Sequence, residues 1–367
     1  MRRIVRVETG HYRIPLSHTL SDSTHGEMSA FELVTVRLYD DRGFEGVGFT
    51  YTVGYGGAAI RALIDHELTP LITESDAGRH ELLWQSMWWR LHYVGRGGVA
   101  AFAVSAVDTA LADLRGKWCA EPLWRLLGGT RERVPAYAGG VDLHFSIDEL
   151  LAEIDGYLSD GFGAVKIKVG RDSLEEDVER VREVRRRLGY RFALMIDANM
   201  RWSVHTAVRA VESLRDQRLY WLEEPIEPDD EEGHSQLAEL GIPIATGENL
   251  HTHAEFERMA RRGRVAVLQP DVTNVGGVTA WMKVAHTAAA RHIPVSSHGA
   301  HDIHAHLLAA VPNSSFLEVH RFGLDEFLSQ PLVLRDGCVI PPGEPGLGLN
   351  FKWDALKEYA ANRAGPV

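Results

Sequence analysis

From Val134 onward, short apolar runs that end in polar residues alternate with amphipathic helical stretches, and nothing else in the chain narrows its fold as much. The runs are Val134–Gly140, Ala164–Gly170, Leu194–Asn199, Tyr220–Pro225, Pro243–Glu248, Val265–Asp271, Ile293–His298 and Phe316–His320. Between the second and third, Ser173 can cap a helix whose first turn is acidic and last turn rich in arginine, with Gly189 after it. Strand–helix units repeated about eight times over roughly 200 residues predict a (β/α)8 barrel, since parallel strands need helical crossovers.

The preceding part reads as α+β. Ile4–Ile14, Phe31–Tyr39 and Phe44–Phe49 predict strands, with a turn at Asp40–Gly43. Ser17–Ser29 and Tyr51–Gly57 read as irregular loops, and helical periodicity follows over Ala58–Leu71, Glu81–His92 and Val99–Lys117. The expected class is α/β: an α+β capping domain (1–125), a (β/α)8-type barrel (126–329) and a C-terminal segment (330–367) returning to the cap.

A formal net charge of −12 argues against a nucleic-acid partner, because phosphate binding needs a basic surface. The most apolar stretch, Gly98–Leu114, carries Asp108 and Asp113 and does not suit a bilayer; the basic start has no apolar run behind it. The two cysteines, Cys119 and Cys338, lack metal-ligand spacing and read as unpaired thiols. The expectation is a soluble cytoplasmic protein with no nucleic-acid or membrane partner.

A barrel of this kind carries its site at the C-terminal ends of the strands. The polar residues ending the runs are Lys166 and Lys168, Asp197 and Asn199, Glu223 and Glu224, Glu248, Asp271, His298 and Glu318, in steps of about 20 to 29 residues. Asp197, Glu223 and Glu248, from three consecutive units, would repel one another unless a hard cation lay among them; Mg2+ takes such oxygens and keeps positions for substrate and water. Lys166 and Lys168 share one strand face, and a neighbouring ammonium and a divalent ion would both lower a lysine towards a usable base. Asp271 beside His298 would fix the imidazole tautomer for acid–base work. Glu318 could donate a hydrogen bond to a carboxylate gaining charge. Together these groups suit removal of the proton alpha to a carboxylate, with Lys168 and His298 flanking the carbon and the enediolate charge spread over metal, lysine and acid.

The KIK string, the acid triad, the Asp271–His298 pair and Glu318 resemble the mandelate racemase subgroup of the enolase superfamily, over nearly the whole chain. The resemblance implies Mg2+ on Asp197, Glu223 and Glu248, Lys168 as one base, Lys166 at the substrate carboxylate, His298 oriented by Asp271 as the other base or acid, and Glu318 stabilising the enediolate. It also matches Ser17–Ser29 and Tyr51–Gly57 to two substrate-selecting loops, which makes His25, Tyr51 and Tyr55, with Asn199, candidate substrate contacts. FEGVGFTYT, HYVGRGG and TGENLHTHAEF are similar to acid-sugar enzymes, and SDSTHGE, HYVGRGG, GENLHT and LEVH to the 3,6-anhydro-L-galactonate cycloisomerases among them. The implied partner is a small sugar carboxylate, with a homo-oligomer as the expected assembly.

Other features point elsewhere. His298, His301, His304 and His306, with His251 and His253, suggest a zinc hydrolase, but residues on one helix cannot all face one ion. Gly276-Gly277 lacks the lysine of a phosphate loop. Trp84, Trp88 and Trp89 at helical spacing suit a core or a subunit contact. A racemase or epimerase, the zinc hydrolase and a non-catalytic sugar-acid binder are the alternatives.

Overall fold

The computed structural model describes residues 2–320 and 322–361. Met1, Arg321 and residues 362–367, which fall within the three expected segments, lie outside the described residues. The amino-terminal part is an antiparallel meander of β1 (Ile4–Asp22), β2 (Gly26–Asp40) and β3 (Glu45–Thr52). Period-two alternation divides β2 between two cores. Val34, Val36 and Leu38 join Ile60, Ile64 and the helix Val99–Cys119, whereas Phe31 and Leu33 join Phe49 and the barrel residues. A sheet buried on both faces is what fits a cap between its own helices and a second domain.

Close approach of β3 to the helix Val99–Cys119 depends on small residues. A Cβ on Gly48 would lie 2.3 Å from the Ala106 carbonyl oxygen and 2.5 Å from the Ala110 nitrogen. Both obstacles are backbone and cannot swing aside, so Gly48→Ala is expected to cost about 1–3 kcal/mol. Urea unfolding of the variant with an unchanged m-value checks this. The acids that argued against a membrane span act as stitches. Asp113 accepts from the backbone N–H of Val47 and of Leu347, each at 2.7 Å, and Asp108 accepts from the Thr279 N–H and hydroxyl, each at 2.8 Å. No helix among the described residues is long and apolar enough to cross a membrane.

The barrel strands are β4 (Val134–Gly139), β5 (Ala164–Lys168), β6 (Ala193–Asp197), β7 (Trp221–Glu223), β8 (Ile244–Thr246), β9 (Val267–Leu268) and β10 (Leu317–Val319). Successive members pair in parallel from β4 to β9, and β10 pairs back onto β4. The seventh expected strand is reduced to Val295, which bridges Leu268 on one side and Ser314 on the other. Its neighbours keep backbone bonds, from the Ser296 N–H to the Leu268 carbonyl at 2.9 Å and from the Ser297 N–H to the Phe316 carbonyl at 3.3 Å, and add side-chain ones: Ser296 Oγ donates to the Phe316 carbonyl at 2.5 Å, and Ser297 Oγ accepts from the Glu318 N–H at 2.9 Å. The helix Leu174–Leu188 is capped by the Ser173 side chain, as its sequence predicts.

Two loop expectations need correction. Ser17–Ser29 is not an irregular loop: β1 and β2 continue through it after an irregularity between Pro15 and Leu20, and only the tip around Ser23–His25 turns. Its polar composition hides the pairing of Leu20 with Met28 and Ser21 with Glu27, which the barrel extends through the Ser21 N–H on the Val141 carbonyl at 3.2 Å and the Leu143 N–H on that of Ser21 at 3.1 Å. Tyr51 and Thr52 likewise belong to β3. The C-terminal segment does more than return to the cap. Its hairpin, β11 (Val333–Arg335) and β12 (Cys338–Ile340), adds antiparallel to β4, while the following chain reaches β1 through the Arg13 N–H to the Tyr359 carbonyl at 2.9 Å.

Candidate active site

The strand-end residues converge at one mouth of the barrel because the parallel register sets them side by side. Lys168 pairs with Asp197 across β5 and β6, and Asp197 with Glu223 across β6 and β7. Strand alternation puts Lys166 and Lys168 on one face, Lys166 deeper. Lys166 Nζ lies 2.5 Å from Glu223 Oε1, 2.8 Å from Glu318 Oε1 and 3.5 Å from Asp197 Oδ2, and Lys168 Nζ lies 2.6 Å from Asp197 Oδ2. Asp271 Oδ2 faces His298 Nδ1 at 3.0 Å, and His298 Nε2 is turned onto Glu248 Oε2.

A cavity of about 470 Å3 opens above this floor and is lined by Lys168, Asn199, Glu248, Asp271, His298 and Glu318 from the barrel, and by His25, Tyr51 and Tyr55 from the cap. Lys166, Asp197 and Glu223 lie beneath it, buried. Of the cap residues, Tyr51 is tied to the chemistry through its hydroxyl, 3.2 Å from Asp271 Oδ2. His25 sits at the hairpin tip with Nδ1 2.8 Å from Asp22 Oδ2, and Tyr55 is 68% exposed at the rim. Asn199 donates from its backbone N–H to Asp197 Oδ1 at 2.9 Å and from Nδ2 to Glu248 Oε1 at 3.1 Å. Asn199, Met200, Glu224 and Ala300 adopt positive φ around this mouth, a concentration of backbone strain that marks functional sites.

Six buried carboxyl groups (Asp197, Glu223, Glu224, Glu248, Asp271 and Glu318) are set against Lys166, Lys168 and His298. Burial and the neighbouring acids push Glu223 and Glu224 upward. Among the protein groups alone, both lysines are raised. Burial works against the charged amine, but Glu223 and Glu318 raise Lys166, and Asp197 outweighs Lys166 in raising Lys168. Burial likewise opposes a charged His298, yet Glu248 and Asp271 hold it well above the ordinary histidine value. Glu318 Oε1 meets Lys166 and Oε2 accepts the Gly299 N–H at 2.9 Å, and Lys166 holds its carboxyl low against the effect of burial.

Asp197, Glu223 and Glu248 are an all-oxygen donor set on neighbouring strand ends with more negative charge than the lysines cancel, which suits a hard divalent cation. Their oxygens do not close within 4.8 Å of one another as a set; that spacing is met, among the described residues, by His301, Asp302 and Asp325. Lys166, Lys168 and His298 draw the three carboxylates outward, so joint coordination requires side-chain rotation.

His304, His306 and His253 have structural partners. His304 accepts the Val272 N–H at 3.0 Å and faces the Gly299 carbonyl at 2.8 Å, while His306 bridges the Trp124 N–H and the Leu347 carbonyl at 3.3 and 3.1 Å. His253 pairs with Thr287 at 2.7 Å. Trp84 is part-buried, its indole N–H 2.7 Å from the Gly276 carbonyl, and Trp89 is exposed. Sequence reasoning missed Asp142 after β4, whose Oδ1 accepts the Lys168 N–H at 3.2 Å, and Gln269, 2.8 Å from Glu223. It also missed His320, which lines the cavity two residues beyond Glu318. The signals were present: the first run had no assigned end group, and i, i+2 parity relates His320 to Glu318.

Comparison with known proteins agrees with this geometry. Residues 149–355 match the enolase C-terminal domain-like family, and residues 4–128 match the mandelate racemase/muconate lactonizing enzyme N-terminal domain. The 3,6-anhydro-alpha-L-galactonate cycloisomerase of Streptomyces coelicolor is 48% identical over 358 residues, covering 97% of this chain and 99% of that protein. A racemase from Streptomyces coelicolor A3(2), crystallised with bound magnesium, superposes with a TM-score of 0.96 at 47% identity, covering 98% of this chain and 100% of the other. The L-talarate dehydratase from Polaromonas sp. JS666, complexed with Mg and L-glucarate, gives a TM-score of 0.93 at 32% identity over 98% of both chains. With cap, barrel and rim chemistry all accounted for in one pattern, the chain belongs to the mandelate racemase subgroup of the enolase superfamily.

Proposed function

We propose that the protein is an Mg2+-dependent lyase or isomerase that removes the proton alpha to the carboxylate of a sugar acid and expels the oxygen on the beta carbon. A cyclic 3,6-anhydrohexonate such as 3,6-anhydro-L-galactonate opens its ring in this way, and a hexarate such as galactarate or talarate loses water. The observation that carries the reading is the placement of Lys168 and His298 on one cavity, above Asp197, Glu223 and Glu248. The full-length 48% identity to a cycloisomerase favours the ring-opening form.

Asp197, Glu223 and Glu248 would hold the ion. Bound there, Mg2+ would supply positive charge for the substrate carboxylate and take up the negative charge that now keeps Lys168 protonated. The chain's own groups do the rest. Lys166 and Glu318 lie together at the deep end of the site, where Lys166 offers charge to the carboxylate as it becomes an enediolate. Lys168 takes the alpha proton. Asp271 holds His298 by Nδ1, so Nε2 is the atom that delivers a proton to the departing oxygen. Breaking the C3–O bond uses the electron pair left at C2, and the resulting enol becomes a 2-keto-3-deoxy acid. We assign capping to 1–125, catalysis to 126–329 and closure of both to 330–367, in an enzyme placed in the cytoplasm; exposed Trp89 and Tyr93 support its self-association.

Incubation of candidate acids with Mg2+ in D2O, followed by NMR, is expected to show alpha-proton loss together with a keto-acid product. Chelation by EDTA should take both to the uncatalysed level, with Mg2+ restoring them. Exchange without product would favour the racemase reading, which the description of the magnesium-bound relative supports. Activity that resists EDTA and tracks stoichiometric zinc would overturn the reading.

A further inference from the structure

Among the described residues, His320 is the one imidazole in the cavity wall without a bonded partner. Strand parity brings it to the face of Glu318, and it is 9% exposed with both ring nitrogens buried and lacking a hydrogen bond. Buried polar groups are nearly always satisfied, so an imidazole facing a ligand cavity with two free nitrogens calls for a partner that arrives with the ligand. Its surroundings prevent it from finding one at home. Phe322 lies across the ring at 3.8 Å between centroids, and the His301 ring stands at 5.8 Å with its Nε2 committed to Asp325, 3.2 Å away.

The same neighbours decide its charge. Asp302 and Asp325 raise His301 to about 9 despite burial, which leaves a positive charge beside His320. Burial first, and then His301 and His298, push His320 down to about 3 against the pull of Glu318. A neutral imidazole offers one donor and one acceptor, so a hydroxyl can meet it in either sense and an ether oxygen can accept from it, while it lacks the positive charge that would favour a carboxylate over these neutral oxygens. The remaining wall here, Tyr51 and Phe322, is aromatic, and the Tyr51 hydroxyl is already given to Asp271.

Resting on the sugar-acid reading above, we propose that His320 is a specificity-determining residue that hydrogen-bonds an oxygen of the sugar chain beyond the reacting carbons. The test uses Mg2+-loaded wild type, His320→Phe and His320→Asn. Alpha-proton exchange is measured on the six-carbon acids 3,6-anhydro-L-galactonate and galactarate and on the three-carbon acid glycerate, and binding of each is followed by calorimetry. Selectivity for a six-carbon acid over glycerate should fall about tenfold in His320→Phe. The change should lie in KM rather than kcat, and His320→Asn should recover part of it. A proportional loss on all acids would mean a packing role and overturn the proposal, as would an unchanged ratio. If His320→Phe does not fold, the ratio in His320→Asn decides. Wild type that binds a six-carbon acid without exchange sinks the reaction alone, and loss of that binding in His320→Phe still supports the residue's role. Wild type that neither binds nor exchanges any of the acids overturns both.

Discussion

Replacing Lys168 with methionine is expected to lower alpha-proton exchange by about 10^2- to 10^4-fold, the range that a positioned base contributes. Methionine keeps most of the length and the apolar stem but has no nitrogen to receive the proton. Lys168 is 6% exposed with its ammonium on Asp197, so the variant also leaves that carboxylate without its nearest counter-charge. Circular dichroism and a melting curve taken with Mg2+ separate the two consequences: the fold should persist while exchange is lost. Exchange within tenfold of wild type would remove Lys168 from the reaction and leave His298 as the base.

The second large effect is on stability and comes from a residue outside the cavity. Arg180 projects from the helix Leu174–Leu188 to Asp142 Oδ1 at 2.9 Å, the Asp142 carbonyl at 3.0 Å and the Phe145 carbonyl at 2.7 Å. Both side chains of the ion pair are 1% exposed. Arg180→Met would strand the Asp142 carboxylate in a buried site, and breaking such a pair from one side costs about 3–5 kcal/mol. Asp142 also receives the Lys168 N–H and bridges Ser21 of the cap hairpin, so the damage should reach the end of β5 and the hairpin together. Urea unfolding measures the first, and alpha-proton exchange at a temperature where the variant is folded measures the second. Arg180→Lys should recover little, because an ammonium cannot reproduce the fork. A loss below about 1 kcal/mol would show that the pair is replaceable.

The barrel and its ring of acids were legible because they follow from local rules. Apolar runs alternate with helices at a fixed spacing, strand ends carry the polar residues, and parity places Lys166 with Lys168. Asp197, Glu223, Glu248, Asp271, His298 and Glu318 were named from order along the chain, and all of them meet at one mouth. What went wrong has a common origin. The hairpin through Ser17–Ser29 looked irregular because its polar strands are held in part by Val141 and Leu143, far away in the chain. The seventh strand looked regular, yet it is reduced to the bridges at Val295, and serine hydroxyls add bonds beside the backbone ones. Nor was the charge balance at Lys168 and Glu318 legible, since it depends on the charged groups that surround each of them after folding, a quantity no single strand contains.

The chain by itself therefore determined the architecture, the residues at the barrel rim and the type of reaction they suit, since each is written in short-range periodicity. Tertiary structure alone decided which acid faces which base, that Asp142 and Arg180 support Lys168 from below, and that His320 stands unpaired in the wall. Those outcomes depend on distances between residues remote in sequence, and electrostatic and hydrogen-bond energies vary with such distances far more steeply than with position along the chain.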